Sequence, residues 1–295
     1  MDRAERLAGF RIHVSGFRSP RTVLTYCSVI KLFEDYLARQ GLHVDVLSPR
    51  ILDDFYRSFG DQIAPSTVRL YVAAVRKYLG WLRSVGRPIP ELEVPQLPRV
   101  EEPLRSPIQD EAFAKILQAC HREREPYRTA IIILALTGVR VTELCSLTAE
   151  DVVPTPEGYT LLVRKAKGGR ARAVPLMRAG TSPFRHYLRV TWRQLADTQW
   201  LFPMPDHDRA ITTVVLRRHL KVVGLRAGLS RLTPHMLRHA YLTHLHRHGL
   251  SVIEIGVIAG HRDLNTTRKY VHVSLPELRA RLDQLPAPWE RGTNP

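Results

Sequence analysis

Apolar positions in this chain recur at helical spacing, and proline and glycine divide them into blocks. Val23, Tyr26, Ile30, Phe33 and Leu37 fall three or four apart behind Ser19-Pro20, which reads as an N-cap followed by proline at the first helical position, and Gly41 closes the helix. Ser48-Pro49 opens a shorter helix with Ile51, Phe55 and Phe59 on one side, ending at Gly60. A longer helix is predicted from about Ser66, with Val68, Tyr71, Val75, Tyr78, Leu79 and Leu82 inward. Its other face carries Arg69, Arg76, Lys77 and Arg83. Residues 8–86 therefore predict a small helical bundle with one basic face. Solvation alone explains such a face; contact with a polyanion is the reading a neighbouring segment favours.

From Arg87 to Pro107 the periodicity stops. Pro88, Pro90, Pro95, Pro98, Pro103 and Pro107, with charges between them, predict a semi-stiff linker. The expected division is a helical domain over 1–90, a linker over 91–107 and a second domain over 108–295. A linker of that length lets two basic domains sit on opposite sides of one partner.

The second domain opens with helices over Gln109–Cys120 and Tyr127–Leu136, the latter with Ile131, Ile132, Ile133 and Leu134 buried. Thr137-Gly138 ends it. Arg140 follows at the start of a short helix containing Glu143, Leu144 and Leu147. Tyr159–Val163 and Ala171–Leu176 are rich in β-formers and flank Lys165-Ala166-Lys167-Gly168-Gly169-Arg170, which predicts a hairpin. Helices are expected over Ser182–Thr198, Thr212–Ala227, Pro234–Arg247, Ser251–Ala259, Leu264–Tyr270 and Pro276–Leu285. The fold class is mainly α with a small β-sheet.

Charge sharpens this picture. Among 295 residues, 44 Lys+Arg against 28 Asp+Glu leave +16, with a pI of about 10.3, which favours a polyanion partner. No apolar run approaches the ~20 residues that span a bilayer. The N-terminus leads into an amphipathic segment and not an apolar signal region. Cys27, Cys120 and Cys145 are far apart and odd in number, so neither a disulfide framework nor a zinc site is expected. A reducing cytoplasm is the simplest location.

Several chemistries are excluded. No Gly-x-x-x-x-Gly-Lys-Ser/Thr loop is present, and acidic residues do not cluster as a two-metal nuclease requires. His235 and His239 have helical metal-pair spacing, but Met236 stands where a zincin needs glutamate. His244, His246 and His248 alternate and cannot share one helix face. What remains suits phosphodiester transfer with neither metal nor cofactor. Two arginines can clamp the non-bridging oxygens, a histidine can take a proton from a phenol, and a lysine can protonate the leaving oxygen.

Three strings sharpen that reading: Thr137-Gly138-Val139-Arg140-Val141-Thr142-Glu143-Leu144; Thr233-Pro234-His235-Met236-Leu237-Arg238-His239; and Gly260-His261-Arg262-Asp263-Leu264-Asn265-Thr266-Thr267-Arg268-Lys269-Tyr270. In this order, with a lysine hairpin between the two arginines, they resemble the tyrosine recombinase (phage integrase) family, most closely its bacterial Xer-type members. The resemblance covers nearly the whole chain. It implies an N-terminal SAM-like core-binding domain and an α+β catalytic domain carrying a C-terminal helix at 275–285. It implies six catalytic residues. Arg140 and Arg238 hold the scissile phosphate, and His235 assists proton transfer. His261 donates to a phosphate oxygen, Lys167 is the general acid, and Tyr270 attacks to give a 3′-phosphotyrosine. Lys167 is chosen over Lys165 and Arg170 by counting back from Val174-Pro175-Leu176, as in the family. Glu143 is expected to buttress the site or to be a surface acid. His239 serves packing or chemistry. Arg69, Arg76, Lys77, Lys165 and Arg170 are expected to contact DNA. The implied partners are double-stranded DNA and further copies, four protomers on two sites, or a paralogous recombinase. The terminal helix is expected to dock on a neighbouring protomer, with packing on its own domain as the other outcome. The implied reaction is site-specific strand exchange, in chromosome-dimer resolution or mobile-element integration and excision. The alternatives are a type IB topoisomerase-like relaxing enzyme and a non-catalytic DNA-binding protein of the same fold.

Overall fold

Proline and a serine cap start helices at Pro20 and Pro49 where the sequence predicts, and a further helix that it did not predict precedes them. In this computed structural model α1 (Arg3–Ser15) begins with a reciprocal cap: Asp2 accepts from the Glu5 amide at 2.8 Å, and the Glu5 carboxylate accepts from the Asp2 amide at 2.7 Å. Ser19 and Ser48 cap α2 (Pro20–Arg39) and α3 (Pro49–Arg57), and proline occupies the first turn of both and of α4 (Pro65–Ser84). The structure describes residues 1–60, 63–90, 108–164, 171–194, 198–205, 207–260 and 275–286, with only the backbone of 207 and 275–277. The expected linker over 91–107 and the expected helix Leu264–Tyr270 lie outside them.

The chain divides into two units, Met1–Leu104 and Arg105–Pro295. In the first, Phe10, Ile30, Phe33, Leu52, Phe55, Val75 and Tyr78 close the core of the four-helix bundle. One ion pair is inside it. Arg6 reaches Glu34 with Nε at 2.9 Å and Nη2 at 2.6 Å, both side chains are under 5% exposed, and Tyr78 Oη donates to the same carboxylate. On α4, Arg69, Arg76 and Arg83 are exposed, and Lys77 is half-buried with Nζ 4.7 Å over the Phe17 ring.

The second unit is organised around α6 (Tyr127–Thr137), in which every residue except Arg128 is buried. Around it pack α5 (Asp110–Cys120), α8 (Arg178–His186), α9 (Thr213–Arg226) and α10 (Pro234–Arg247). A short α7 (Val141–Leu144) follows α6. An antiparallel sheet of order β1 (Val152–Thr155), β2 (Gly158–Val163), β3 (Arg172–Pro175) covers one side, with Val163 opposite Arg172. The expected hairpin is therefore β2–β3, and β1 is an additional strand. A second small pairing joins β4 (Pro203–Met204) to β5 (His207–Ala210). The helix expected over Ser182–Thr198 instead begins at Arg178, and continues past His186 as a π turn over Tyr187–Trp192.

α11 (Val252–Ala259) is capped by a Ser251–Glu254 box and ends at Gly260 in the left-handed region, φ 65°. α12 (Leu275–Gln284) packs on its own domain, with Leu278 and Leu282 in the core. Arg279 donates to the carbonyls of Tyr159 at 3.1 Å and Glu157 at 2.9 Å, and Arg281 reaches Glu254 and the Gly249 carbonyl. Of the two outcomes expected for this helix, the single chain shows packing on its own domain. The apolar side of α12 finds its cover within the same chain. Among the described residues no helix is long and apolar enough to cross a membrane.

Candidate active site

The turn after α6 reverses the chain at Gly138, φ 61°, so that Arg140 becomes the residue before α7. Glu143, one turn on, takes the Arg140 amide at 2.8 Å and Arg140 Nη1 at 2.9 Å. The Arg140 side chain is 29% exposed while that of Glu143 is 1% exposed, so the acid is interior and the base faces out.

Thr233 caps α10 by accepting from the Met236 amide at 3.2 Å, with Pro234 at the first helical position. This places His235 in the first turn, exposed, and Arg238 three residues later on the same side. Arg238 is buried. Its Nη1 donates to the Gly138 carbonyl at 2.5 Å and its Nη2 to the Ala259 carbonyl at 2.6 Å. It thus ties the turn before Arg140 to the end of α11, after which the sequence continues Gly260-His261. His239 is exposed beside Thr243, with 3.4 Å between Nδ1 and the hydroxyl.

A third guanidinium completes the group. Arg172 of β3 is 7% exposed. It grips Glu143 with Nη1 at 3.1 Å and Nη2 at 2.8 Å, and its Nε donates to the Ile258 carbonyl at 2.9 Å. Sequence reasoning passed over it. Its signal was β periodicity: Arg172, Val174 and Leu176 share one side of the strand, and the two apolar members are fully buried. A charge on that side needs a buried partner, which Glu143 supplies.

The electrostatics follow from this packing. Three guanidiniums against one carboxylate leave two positive charges. Burial pushes Arg238 down to about 10, with Arg140 and Arg172 adding repulsion and Glu143 opposing it. Burial also disfavours the Glu143 carboxylate, but hydrogen bonds from Arg172 and from the Arg140 amide outweigh that, and the group sits below the ordinary carboxylate range. A partly buried surplus of positive charge with outward donors is a site for an anion such as a phosphodiester.

Of the expected catalytic residues, the structure brings Arg140 and Arg238 together, with Glu143 as the interior partner of Arg140, and places His235 on the helix that carries Arg238. Lys165, Lys167, Arg170, His261 and Tyr270 lie outside the described residues. Arg69, Arg76 and Lys77 belong to the first unit.

Comparison with known proteins agrees with the sequence resemblance. The pattern of the Phage integrase family matches residues 108–276, and that of the Phage integrase N-terminal SAM-like domain matches residues 11–86. The tyrosine recombinase XerD of Shewanella oneidensis is 29% identical over 90% of this chain and 89% of its own. The tyrosine recombinase XerC of Erythrobacter litoralis is 30% identical over 75% and 73%. Among solved structures, a lambda integrase (75–356) dimer bound to a COC′ core site superposes with a TM-score of 0.71 at 19% identity, over 93% of this chain and all of that one. A lambda integrase tetramer bound to a Holliday junction gives 0.67 at 18%, over 88% and 77%. At that identity the structures speak for the fold.

The chain belongs to the phage integrase family. It is a tyrosine recombinase, an enzyme that breaks and rejoins DNA at specific sites. The topoisomerase-like and non-catalytic alternatives find no support among these relatives.

Proposed function

We propose that Arg140 and Arg238 clamp the scissile phosphate and that Tyr270 attacks it, giving a 3′-phosphotyrosine and a free 5′ hydroxyl. His235 assists the phenol's proton, His261 donates to a phosphate oxygen, and Lys167 protonates the leaving 5′ oxygen. A 5′ hydroxyl of a partner strand then reverses the step, so strands exchange with no external energy source. The observation that carries this reading is the convergence of two guanidiniums, one from the turn before α7 and one from α10, in one partly open, positively charged group.

The domain over 1–90 holds DNA with Arg69, Arg76 and Lys77, joined through the linker over 91–107 to the catalytic domain over 108–295, where Lys165 and Arg170 add contacts beside Lys167. Four protomers act on two sites, all copies of this chain or shared with a paralogue; the tetrameric neighbour on a four-way junction supports this assembly. We place the protein in the cytoplasm with its DNA.

A plasmid carrying two direct copies of a sequence selected for binding tests the reading. The expected product is two smaller circles with one copy each. Relaxation without recombinants would contradict it, as would binding without strand breakage.

A further inference from the structure

Arg172 has no place in the six-residue assignment, yet it touches more of the site's framework than Arg140 does. Through Glu143 it meets Arg140, and through the Ile258 carbonyl it meets the last turn of α11. In the sequence it lies two residues past Arg170 and five past Lys167, at the first position of β3. Gly260 sits so close that an added Cβ would come within 3.1–3.2 Å of the Arg172 side chain. The C-terminal carbonyls of α11 thus receive two cations, Arg172 on Ile258 and Arg238 on Ala259, where the helix dipole favours them.

The division of Glu143 between two arginines is the informative detail. Arg172 takes both carboxylate oxygens with two N–H groups, and Arg140 gives the carboxylate a single guanidinium N–H. An arginine alone with a buried carboxylate closes into a two-pronged pair. Such a pair at Arg140 would turn its donors inward, away from the phosphate.

We propose that Arg172 is a positioning residue for strand cleavage: it occupies Glu143 so that Arg140 keeps its remaining donors for the phosphate, and it anchors the end of α11 from which the chain runs to His261 and Tyr270. This rests on the assignment of Arg140 and Tyr270 made above. In this role Arg172 acts through Glu143 and the Ile258 carbonyl, the groups its guanidinium holds.

The test is single-turnover cleavage of selected duplexes with a nick stepped across the sequence, read as covalent protein–DNA adduct, together with duplex binding. Arg172→Ala is expected to lower the cleavage rate about 100-fold, the scale of a misplaced reacting group, while binding changes less than about threefold. The double variant Arg172→Ala/Glu143→Gln is the decisive arm. Glutamine cannot hold Arg140 as an ion pair, so it should recover about tenfold of the lost rate, a coupling typical of contacting residues. A merely structural arginine predicts a further loss instead. Arg172→Lys keeps the buried charge without the two-pronged grip, so it retains the fold and should still cleave about tenfold slower than wild type. Cleavage by Arg172→Lys or Arg172→Ala within threefold of wild type overturns the proposal, as does a double variant slower than Arg172→Ala. Absence of any adduct from the wild-type protein points instead to failure of the underlying site assignment.

Discussion

Arg238 Nη1 donates to the carbonyl of Gly138, so the second arginine of the site holds the turn that presents the first. That turn tolerates little change. Gly138 is left-handed, and a Cβ there would meet the Tyr241 ring at 2.6 Å, with Tyr241 itself fully buried. Gly138→Ala is expected to cost about 2–4 kcal/mol from backbone strain and overpacking together. Urea unfolding checks this, and a loss below about 1 kcal/mol would show that the turn relaxes.

Arg6 and Glu34 make the corresponding test in the first domain. Both are buried, and Tyr78 adds a hydrogen bond to the carboxylate. Removing one partner leaves an uncompensated interior charge. Arg6→Met is therefore expected to destabilise that domain by about 3–5 kcal/mol, whereas Arg6→Met/Glu34→Leu should recover most of the loss. Thermal unfolding of the two variants decides it.

His244 sets a pH dependence. It sits on α10 facing the end of α12, its Nε2 3.2 Å from the Pro286 carbonyl and its Nδ1 3.6 Å from Asp110, with the His248 ring beside it. Burial, then His248, hold it below the ordinary value of 6.5; Asp110 and Pro286 oppose this. The unfolded chain therefore binds its proton more readily than the native one. Its contribution to stability is full above pH 6.5 and declines as pH falls from there toward the lowered native value. The melting temperature should drop between pH 7.5 and 5.5, and His244→Leu should shrink that drop. An unchanged drop would place its origin elsewhere.

Lys167 has its own chemical test. With a 5′-bridging sulfur in place of the leaving oxygen, no proton is needed. Lys167→Ala should cleave the oxygen substrate about 10²–10⁴-fold slower and regain near wild-type rate with sulfur, while Arg238→Ala should not. Failure of Lys167→Ala to regain rate would point to Lys165 or another acid.

Most helices were legible because each buries one stripe and starts with a cap or proline that leaves a local mark: Ser19-Pro20, Ser48-Pro49 and Thr233-Pro234 all fall at observed starts. The histidine–arginine spacing on α10 was legible for the same reason. β1 was not, since Val153 and Pro154 are exposed and its pattern lacks alternation. The start of α8 was obscured by Pro183, which lies inside the helix. Arg172 was hidden because its meaning depends on Glu143, brought to it only by the tertiary fold.

The central claim is that Tyr270 is the nucleophile of this recombinase. Incubation with nicked duplexes bearing the selected sequence, followed by digestion and mass spectrometry of the trapped adduct, tests it most directly. The account predicts a 3′-phosphotyrosine at Tyr270 in the wild-type protein and no adduct from Tyr270→Phe. An adduct that persists in Tyr270→Phe, or one mapped to another residue, would contradict it.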